Sequence, residues 1–299
     1  MDERPTPPWA AEMPEGSFIS NGPTYEVGKL FDRFVCDWFT ASDGTKMKYY
    51  FFDPTTVGYP KSDDYPVLIF LHGTSNALVG DVCINYTGAE LYSSDAYQKD
   101  MGGAYILIPV ANEYRDETGR VQGQWSPDYV LPVGELVSSV LAERTPGVGT
   151  KFLFGNSSGA TMVFRMADAY PEMFDVLIPV GTASISSDEM LDVFDARDMY
   201  LFYAQAKRDE FHPFETEVVP RLPRLRRMKH SFIFTPEWVR NGDGGIASII
   251  GGIEMGQHCL MNGIQANLMF DDGTPMDERL PGGLTAWIAQ VVAERRSKA

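Results

Sequence analysis

Short, nearly uninterrupted apolar runs recur along the chain, each bounded by turn-forming residues. They are PVLIFLHG, apolar from Val67 to Leu71, then AYILIPV (104–110), KFLF (151–154), DVLIPVG (175–181) and MYLFYA (199–204). Runs of this length without alternation fit strands buried on both faces, as in the middle of a mostly parallel sheet. Ahead of them, FVCDWFTA and KMKYYFFDP flank Ser42-Asp43-Gly44, a turn signal between β-rich segments that predicts a hairpin. Helical patterning falls between the runs, at 84–99, 132–144 and, most clearly, 159–169. A further helix is expected over 213–228, interrupted by Pro220 and Pro223, and another at 284–296. IASIIGGI (246–253) reads as the last strand of the sheet. Strands alternating with helices point to a doubly wound α/β sheet with helices on both faces.

The ends of the chain differ from this pattern. Pro5, Pro7, Pro8, Pro14 and Pro23 favour an extended arm over residues 1–23, lying across the surface or against a neighbouring subunit. A homo-oligomer built through that arm is one expectation. Residues 24–299 show no repeat and no shift in composition, and read as one domain.

Composition narrows the function classes. With 44% hydrophobic and 22% charged residues the chain is globular rather than disordered or fibrous. A net charge of −16 leaves no basic footprint for nucleic acid or an anionic membrane. No run approaches the roughly 18 apolar residues of a membrane span. The first residues have neither a basic start nor an apolar stretch, so a cytoplasmic setting is expected, or a secreted one if a leader has been trimmed away. Three cysteines, Cys36, Cys83 and Cys259, form no CxxC pair, so zinc-site spacing is absent and three free thiols are expected.

The decisive chemistry lies in KFLFGNSSGATMVF, where a short strand runs into Gly155-Asn156-Ser157-Ser158-Gly159 and then straight into a helix. This is G-x-S-x-G in strand–turn–helix context. The turn is so tight that Ser157 must adopt a strained backbone, and the positions two before and two after it admit only glycine. The hydroxyl is thereby held at the N-terminus of the helix, where free N–H groups favour a developing oxyanion. Ser158 competes as nucleophile but lacks the flanking glycines at the required distance.

The remaining parts follow from what a serine nucleophile needs. The backbone N–H of Ser158 is one oxyanion donor, and the turn His72-Gly73-Thr74 after an earlier strand supplies a second at Thr74 N. His72, in the HG pair, is expected to organise that turn. Of four histidines, His258 lies beyond the expected last strand, where the base belongs. His230 reads as a solvated charge after a basic helix, and His212 sits beside the candidate acid. For the acid, Asp209 emerges after MYLFYA, with Glu210 as the alternative and Asp188 more remote. Trp125 is a candidate wall of the substrate pocket. NGDGG (241–245) and FDDGTPMDE (270–278) lack metal-ligand spacing and read as turns.

At these residues the chain resembles the α/β-hydrolase superfamily, and within it the feruloyl and polyhydroxybutyrate-depolymerase-like esterases and predicted peptidases. The likeness runs through DGTKMKYYFFDP, PVLIFLHG, AYILIPV, Gln124-Trp125-Ser126, GNSSGA and YPEMFDVLIPVGTA. It implies an α/β-hydrolase fold, with a mostly parallel central sheet, an N-terminal antiparallel hairpin and helices on both faces. It also implies a carboxylesterase-like enzyme with a Ser157–His258–Asp209 triad, an acyl-enzyme on Ser157, a small-molecule ester substrate and no cofactor or metal. A peptidase or amidase on the same triad and a non-catalytic binding module are the alternatives. The run from Cys259 to Gly283 is longer than these families usually carry, and GNSSGA is not their commonest elbow.

Overall fold

The computed structural model describes residues 8–21, 26–74, 76–112, 114–115, 121–122, 125–248 and 256–298. In chain order the strands are β1 (Ile19–Ser20), β2 (Val35–Thr40), β3 (Lys46–Phe52), β4 (Val67–Leu71), β5 (Tyr105–Val110), β6 (Tyr114–Arg115), β7 (Val121–Gln122), β8 (Lys151–Asn156), β9 (Val176–Val180), β10 (Tyr200–Ala204), β11 (Ser231–Phe234) and β12 (Ile246–Ala247). The α-helices are α1 (Cys83–Tyr86), α2 (Asp95–Met101), α3 (Val130–Arg144), α4 (Ser158–Ala169), α5 (Asp188–Ala196), α6 (Leu222–Arg226), α7 (Met261–Gln265) and α8 (Gly283–Arg296).

Eight strands form one sheet in the order β11-β10-β9-β8-β4-β5-β3-β2. The predicted hairpin is β2–β3, antiparallel and at the edge, and β3 is also antiparallel to β5. The strands from β5 to β11 along the sheet are parallel, which the unbroken apolar runs require. Between β5 and β8 the chain crosses over β4, so the strand order reverses there. Crevices at the carboxyl ends of strands beside such a reversal are where α/β sheets bind ligands.

Alternate residues of the buried strands feed two cores. Leu68 and Phe70 face a layer that includes Met261, Ile264, Leu284 and Ile288, while Val67, Ile69 and Leu71 face α3, α4, α5 and α6. The central strands β4, β5, β9 and β10 are buried at every position, and the sheet is covered on both faces.

Several local expectations are corrected. The helix expected over 84–99 is a series of short turns ending in α2. Gly88 sits at φ +90°, and a Cβ there would lie 2.6 Å from the Met261 sulfur. Ser94 then starts α2 afresh by capping Tyr97 N. The helix expected over 213–228 is a π-helical turn (Phe214–Val218) followed by α6, with Pro220 at the break. The last strand of the main sheet is β11, not the 246–253 run; Ile246 and Ala247 pair instead with β1 in a separate two-stranded sheet, and residues 249–255 lie outside the described residues. The N-terminal arm is not extended throughout: Pro8–Glu12 is a 3-10 turn. Trp9 is buried in it, edge-on to Trp238 at 5.7 Å, and this apolar contact outweighs the extended preference of the prolines.

Candidate active site

The carboxyl ends of β4, β8, β9 and β10 supply the elements of the site. At the end of β8 the chain turns directly into α4, with Ser157 between them at φ 55° and ψ −116°. A non-glycine residue in that region carries roughly 1–3 kcal/mol of strain, held by the surroundings. The holding contacts are backbone. Ser157 N donates to Val180 O of β9 (2.9 Å), and Thr161 N donates to Ser157 O (3.1 Å). A Cβ on Gly155 would overlap the backbone of Gly159 and Ala160, and one on Gly159 would overlap the Leu71 and His72 carbonyls. The two glycines of the motif therefore let the elbow close on itself and on the end of β4.

That end of β4 is organised by His72, which is fully buried. Its Nε2 accepts from Ala111 N (3.0 Å), so the proton resides on Nδ1, which donates to Gly73 O (2.6 Å). Burial pushes its pKa down to about 4, against the hydrogen bond to Gly73, so the ring is neutral. Trp125, the candidate pocket wall, is 2% exposed, and its indole N–H donates to His72 O (2.9 Å). It braces the turn from below. Gly73 N donates to Asn76 Oδ1 (2.8 Å) and Asn76 N to Gly73 O (3.3 Å), leaving Thr74 at the tip of a closed turn. A Cβ on Gly73 would come within 3.3 Å of Asn156 Nδ2, so this turn abuts the elbow. Asn156 Oδ1 and Ser158 Oγ, on either side of Ser157, are buried without a hydrogen-bond partner.

Three side chains from distant parts of the sequence meet in series. His258 Nε2 lies 2.9 Å from Ser157 Oγ, and His258 Nδ1 lies 2.8 Å from Asp209 Oδ2. Asp209 follows β10, and its carboxylate is saturated: Oδ2 also accepts from Gln205 Nε2 (2.9 Å), and Oδ1 from Phe211 N (2.8 Å) and His212 N (3.1 Å). Burial opposes its ionisation, but the hydrogen bond and charge of His258, helped by Phe211 N–H and Gln205, hold the carboxyl below its usual range. With Oδ2 as acceptor, Nδ1 of His258 carries the proton and Nε2 is free to accept one from Ser157.

The other candidates have different partners. Glu210, the alternative acid, accepts from backbone N–H groups of the histidine loop, His258 N among them (2.7 Å), and not from the His258 ring. Asp188 is in the first turn of α5, paired with Arg221 at 3.1 Å. His212 lies 3.5 Å from Glu217, with its ring 5.9 Å from that of His258. His230 is no freely solvated charge; it stacks on Tyr200 at 4.2 Å just before β11. All three cysteines are free thiols. Among the described residues no group of His, Cys, Asp and Glu could hold a metal ion, and no helix is long and apolar enough to cross a membrane.

Sequence reasoning missed Gln205, the polar residue that ends the apolar β10 run, and Gly181, which ends the β9 run. Gly181 has φ +75°, and a Cβ there would stand 3.4 Å from His258 Cε1, so the imidazole rests over bare backbone. Both could have been found as the residues that close a buried strand at the site's edge. Phe211, 55% exposed with its ring 4.7 Å from the His258 ring, is a third. Residues 113, 116–120, 123–124 and 249–255 lie outside the described residues, Gln124 of the Gln-Trp-Ser segment among them.

No protein-family model matches the sequence, and no curated protein is significantly similar to it. Solved structures are similar in shape. A thermostable esterase superposes with a TM-score of 0.55 at 18% identity over 70% of this chain, which spans 56% of that protein. Est1E from Butyrivibrio proteoclasticus gives 0.53 at 12% identity, covering 88% of this chain and 99% of that one. The siderophore hydrolase EstB from Aspergillus nidulans gives 0.50 at 14%, covering 85% and 100%. Together with the strand order and the two-faced helical cover, this likeness is one of fold, and the fold is that of the α/β-hydrolases.

Proposed function

We propose that the protein is a serine hydrolase that cleaves carboxylic esters through an acyl-enzyme on Ser157. The observation that carries this reading is the hydroxyl–imidazole–carboxylate series at 2.9 and 2.8 Å, ending on a serine at a strained strand-to-helix elbow. A serine hydroxyl is a weak nucleophile until a base takes its proton, and a neutral imidazole fixed by a carboxylate is such a base. The fold neighbours named as an esterase and a hydrolase support the reaction class.

In the proposed reaction Ser157 Oγ attacks the acyl carbon while its proton passes to His258 Nε2. The carbonyl oxygen becomes an oxyanion facing the backbone N–H groups of Ser158 and Thr74. Asp209 stabilises the imidazolium and keeps the ring in one tautomer without taking the proton itself. Collapse breaks the bond to the alcohol, which leaves with the proton from Nε2. Water, deprotonated by the same nitrogen, then hydrolyses the acyl-enzyme to the free acid and restores Ser157.

The test is covalent. A fluorophosphonate probe should label the wild-type protein at Ser157, identified by peptide mass, and aryl esters should give a burst of alcohol equal to the labelled sites. A panel of aliphatic, aromatic and feruloyl esters with matched amides then defines the acyl group. Protein that is folded, unlabelled and inert towards the whole panel would mark a binding module instead.

A further inference from the structure

The mechanism above leaves one carboxylate at the site without a task. Glu210 directly follows Asp209, yet it points to the backbone of the base rather than to its ring. Oε2 accepts from His258 N at 2.7 Å, and Oε1 accepts from Gln257 N at 3.0 Å. The two consecutive N–H groups that lead into the base therefore close on one carboxylate. Oε1 takes a third donor, the Trp9 indole, at 3.1 Å, across 201 positions of sequence.

The N-terminal turn is fixed over this carboxylate by more than that bond. Trp9 packs edge-on to Trp238, and Arg208 lies 4.1 Å above the same Trp238 ring. Arg208 also pairs with Glu12 of the turn at 2.5 Å. Turn, acid loop and histidine loop thus meet at Glu210.

We propose that Glu210 is a positioning residue for His258, and that the N-terminal turn is the strap that keeps it in place. This rests on the hydrolase reading above. Asp209 and Glu210 grip one residue at its two ends: Asp209 fixes how the imidazole is rotated, Glu210 where its backbone sits. Rotation alone does not bring Nε2 to Ser157 Oγ. The loop that carries the base also needs an anchor, and Gln257 gives a second one by accepting from Val239 N (2.8 Å) and donating to Ala247 O (2.7 Å). Among the described residues, only Glu210 accepts from the N–H of the base residue itself. Partial desolvation is the largest influence on its carboxyl and raises its pKa, against the opposing hydrogen bonds.

Glu210→Gln keeps the shape and one acceptor, and leaves one of the two loop N–H groups facing an amide NH₂. The readouts are kcat per titrated active site, KM, the rate of Ser157 labelling by a fluorophosphonate, and the thermal midpoint. The expected result is a fall in kcat and labelling rate of about ten- to a hundredfold, the scale of a displacement near 1 Å. KM and the thermal midpoint should change little. Trp9→Phe, which keeps the ring against Trp238 and removes the donor, should give a smaller fall in the same two rates. A Glu210→Gln protein with wild-type kcat per titrated site and wild-type labelling rate overturns the proposal. So does a loss of activity that is wholly a loss of titratable sites and of melting temperature, since that is a structural role. If Glu210→Gln does not fold, Glu210→Asp takes its place, because its carboxylate is one methylene too short to reach both N–H groups; unchanged rates there also overturn the proposal. Wild-type protein that takes no label removes the hydrolase reading itself, whereas labelled wild type with an equally fast Glu210→Gln removes only the role of Glu210.

Discussion

Ser157 and His258 meet at 2.9 Å, but they are held there in opposite ways. Ser157 is fixed by the backbone of its own neighbours: β8 before it, α4 after it, and two glycines that let the turn close against itself and the end of β4. Its constraints are steric contacts and backbone bonds, centred on the G-x-S-x-G turn and its neighbours β4 and β9. His258 is fixed by polar bonds from afar, to Asp209 49 positions away, and through its N–H to Glu210 48 positions away. Steric constraints fail when a side chain is too large. Polar ones fail when a single donor or acceptor is missing. Each of the two halves can be attacked in its own way, and the size of the effect tells which constraint is at work.

The largest effect should come from the chemistry at the elbow. Ser157→Ala keeps the fold and removes the attacking oxygen, so kcat should drop on the order of 10⁶, as in related triads. Near-normal turnover by a clean Ser157→Ala preparation would sink the mechanism. On the histidine side, Asp209→Asn should lower kcat about 10⁴-fold, because an amide can offer Nδ1 a donor and so favour the wrong tautomer. The two losses are not expected to add, since without its oriented base the hydroxyl is already idle.

Shape is the next way to separate the halves. Gly155→Ala puts a Cβ into the backbone of Gly159 and Ala160, where no rotamer relieves the overlap. The elbow must open, with a loss of roughly 1–3 kcal/mol or more in stability, and activity should fall with it. The control on the histidine side is Gln205→Leu, which removes one of the four donors to Asp209. It should lower activity more than thermal stability, the reverse of Gly155→Ala. Parallel melting curves and titrated turnover numbers for the two variants check this.

How much of each half was legible follows from the same distinction. The elbow could be read because everything it needs lies in one stretch, strand, G-x-S-x-G and helix. His258 is singled out by its place in the chain, but the strand expected before it is not part of the main sheet. The 246–253 run is longer than SFIF and about as apolar, yet SFIF forms the edge of the main sheet, where Leu201 to Ala204 of β10 offer it a parallel register. Partnership across the sheet, not local propensity, decides an edge strand. Residues 84–99 failed in the same manner, because the need for a left-handed Gly88 arises from its close approach to Met261. Gln205 left only its place at the end of the β10 run as a signal, and Trp9 and the partners of Glu210 left none. Their bonds are set by three-dimensional packing of loops, and a pattern of residue types along the chain does not contain it.

Acidity gives a subtler contrast, because Asp209 and Glu210 are adjacent and shifted in opposite directions. Asp209 is held below its usual range, mainly by His258 against the opposing effect of burial. Its ionised form therefore stabilises the fold above the unfolded carboxylate value of about 3.9, and that contribution is lost as pH falls through the lower folded value. Glu210 is raised, chiefly by burial. Its contribution is fully present below the unfolded value of about 4.3 and is lost as pH rises through the higher folded value. The titratable groups coupled to the pair are His258, which lowers Asp209, and Tyr203 and the Cys259 thiol, both pushed up by burial first and then by Asp209, with Glu210 also acting on Cys259. Thermal midpoints across the acid range should show the wild-type advantage over Asp209→Asn growing with pH, and the small difference from Glu210→Gln shifting with pH in the variant's favour. Slopes of one sign for both variants would contradict the opposed shifts.

The smallest effect should come from the residue next to the nucleophile. Ser158 has the same side chain as Ser157 and sits one position along, at the first residue of α4. Its Oγ is buried and has no hydrogen-bond partner. Removing an unpartnered buried hydroxyl releases its desolvation penalty and breaks no bond, so Ser158→Ala should be neutral or slightly stabilising. The group that matters at this position is the backbone N–H, proposed as an oxyanion donor, and alanine keeps it. Turnover should therefore stay within about threefold of wild type, less than 1 kcal/mol in the barrier. A loss of two orders of magnitude or more would mean that the Ser158 hydroxyl itself touches the substrate or the hydrolytic water. Two identical side chains would then share the chemistry, and the division between a steric half that holds Ser157 and a polar half that serves it would no longer stand.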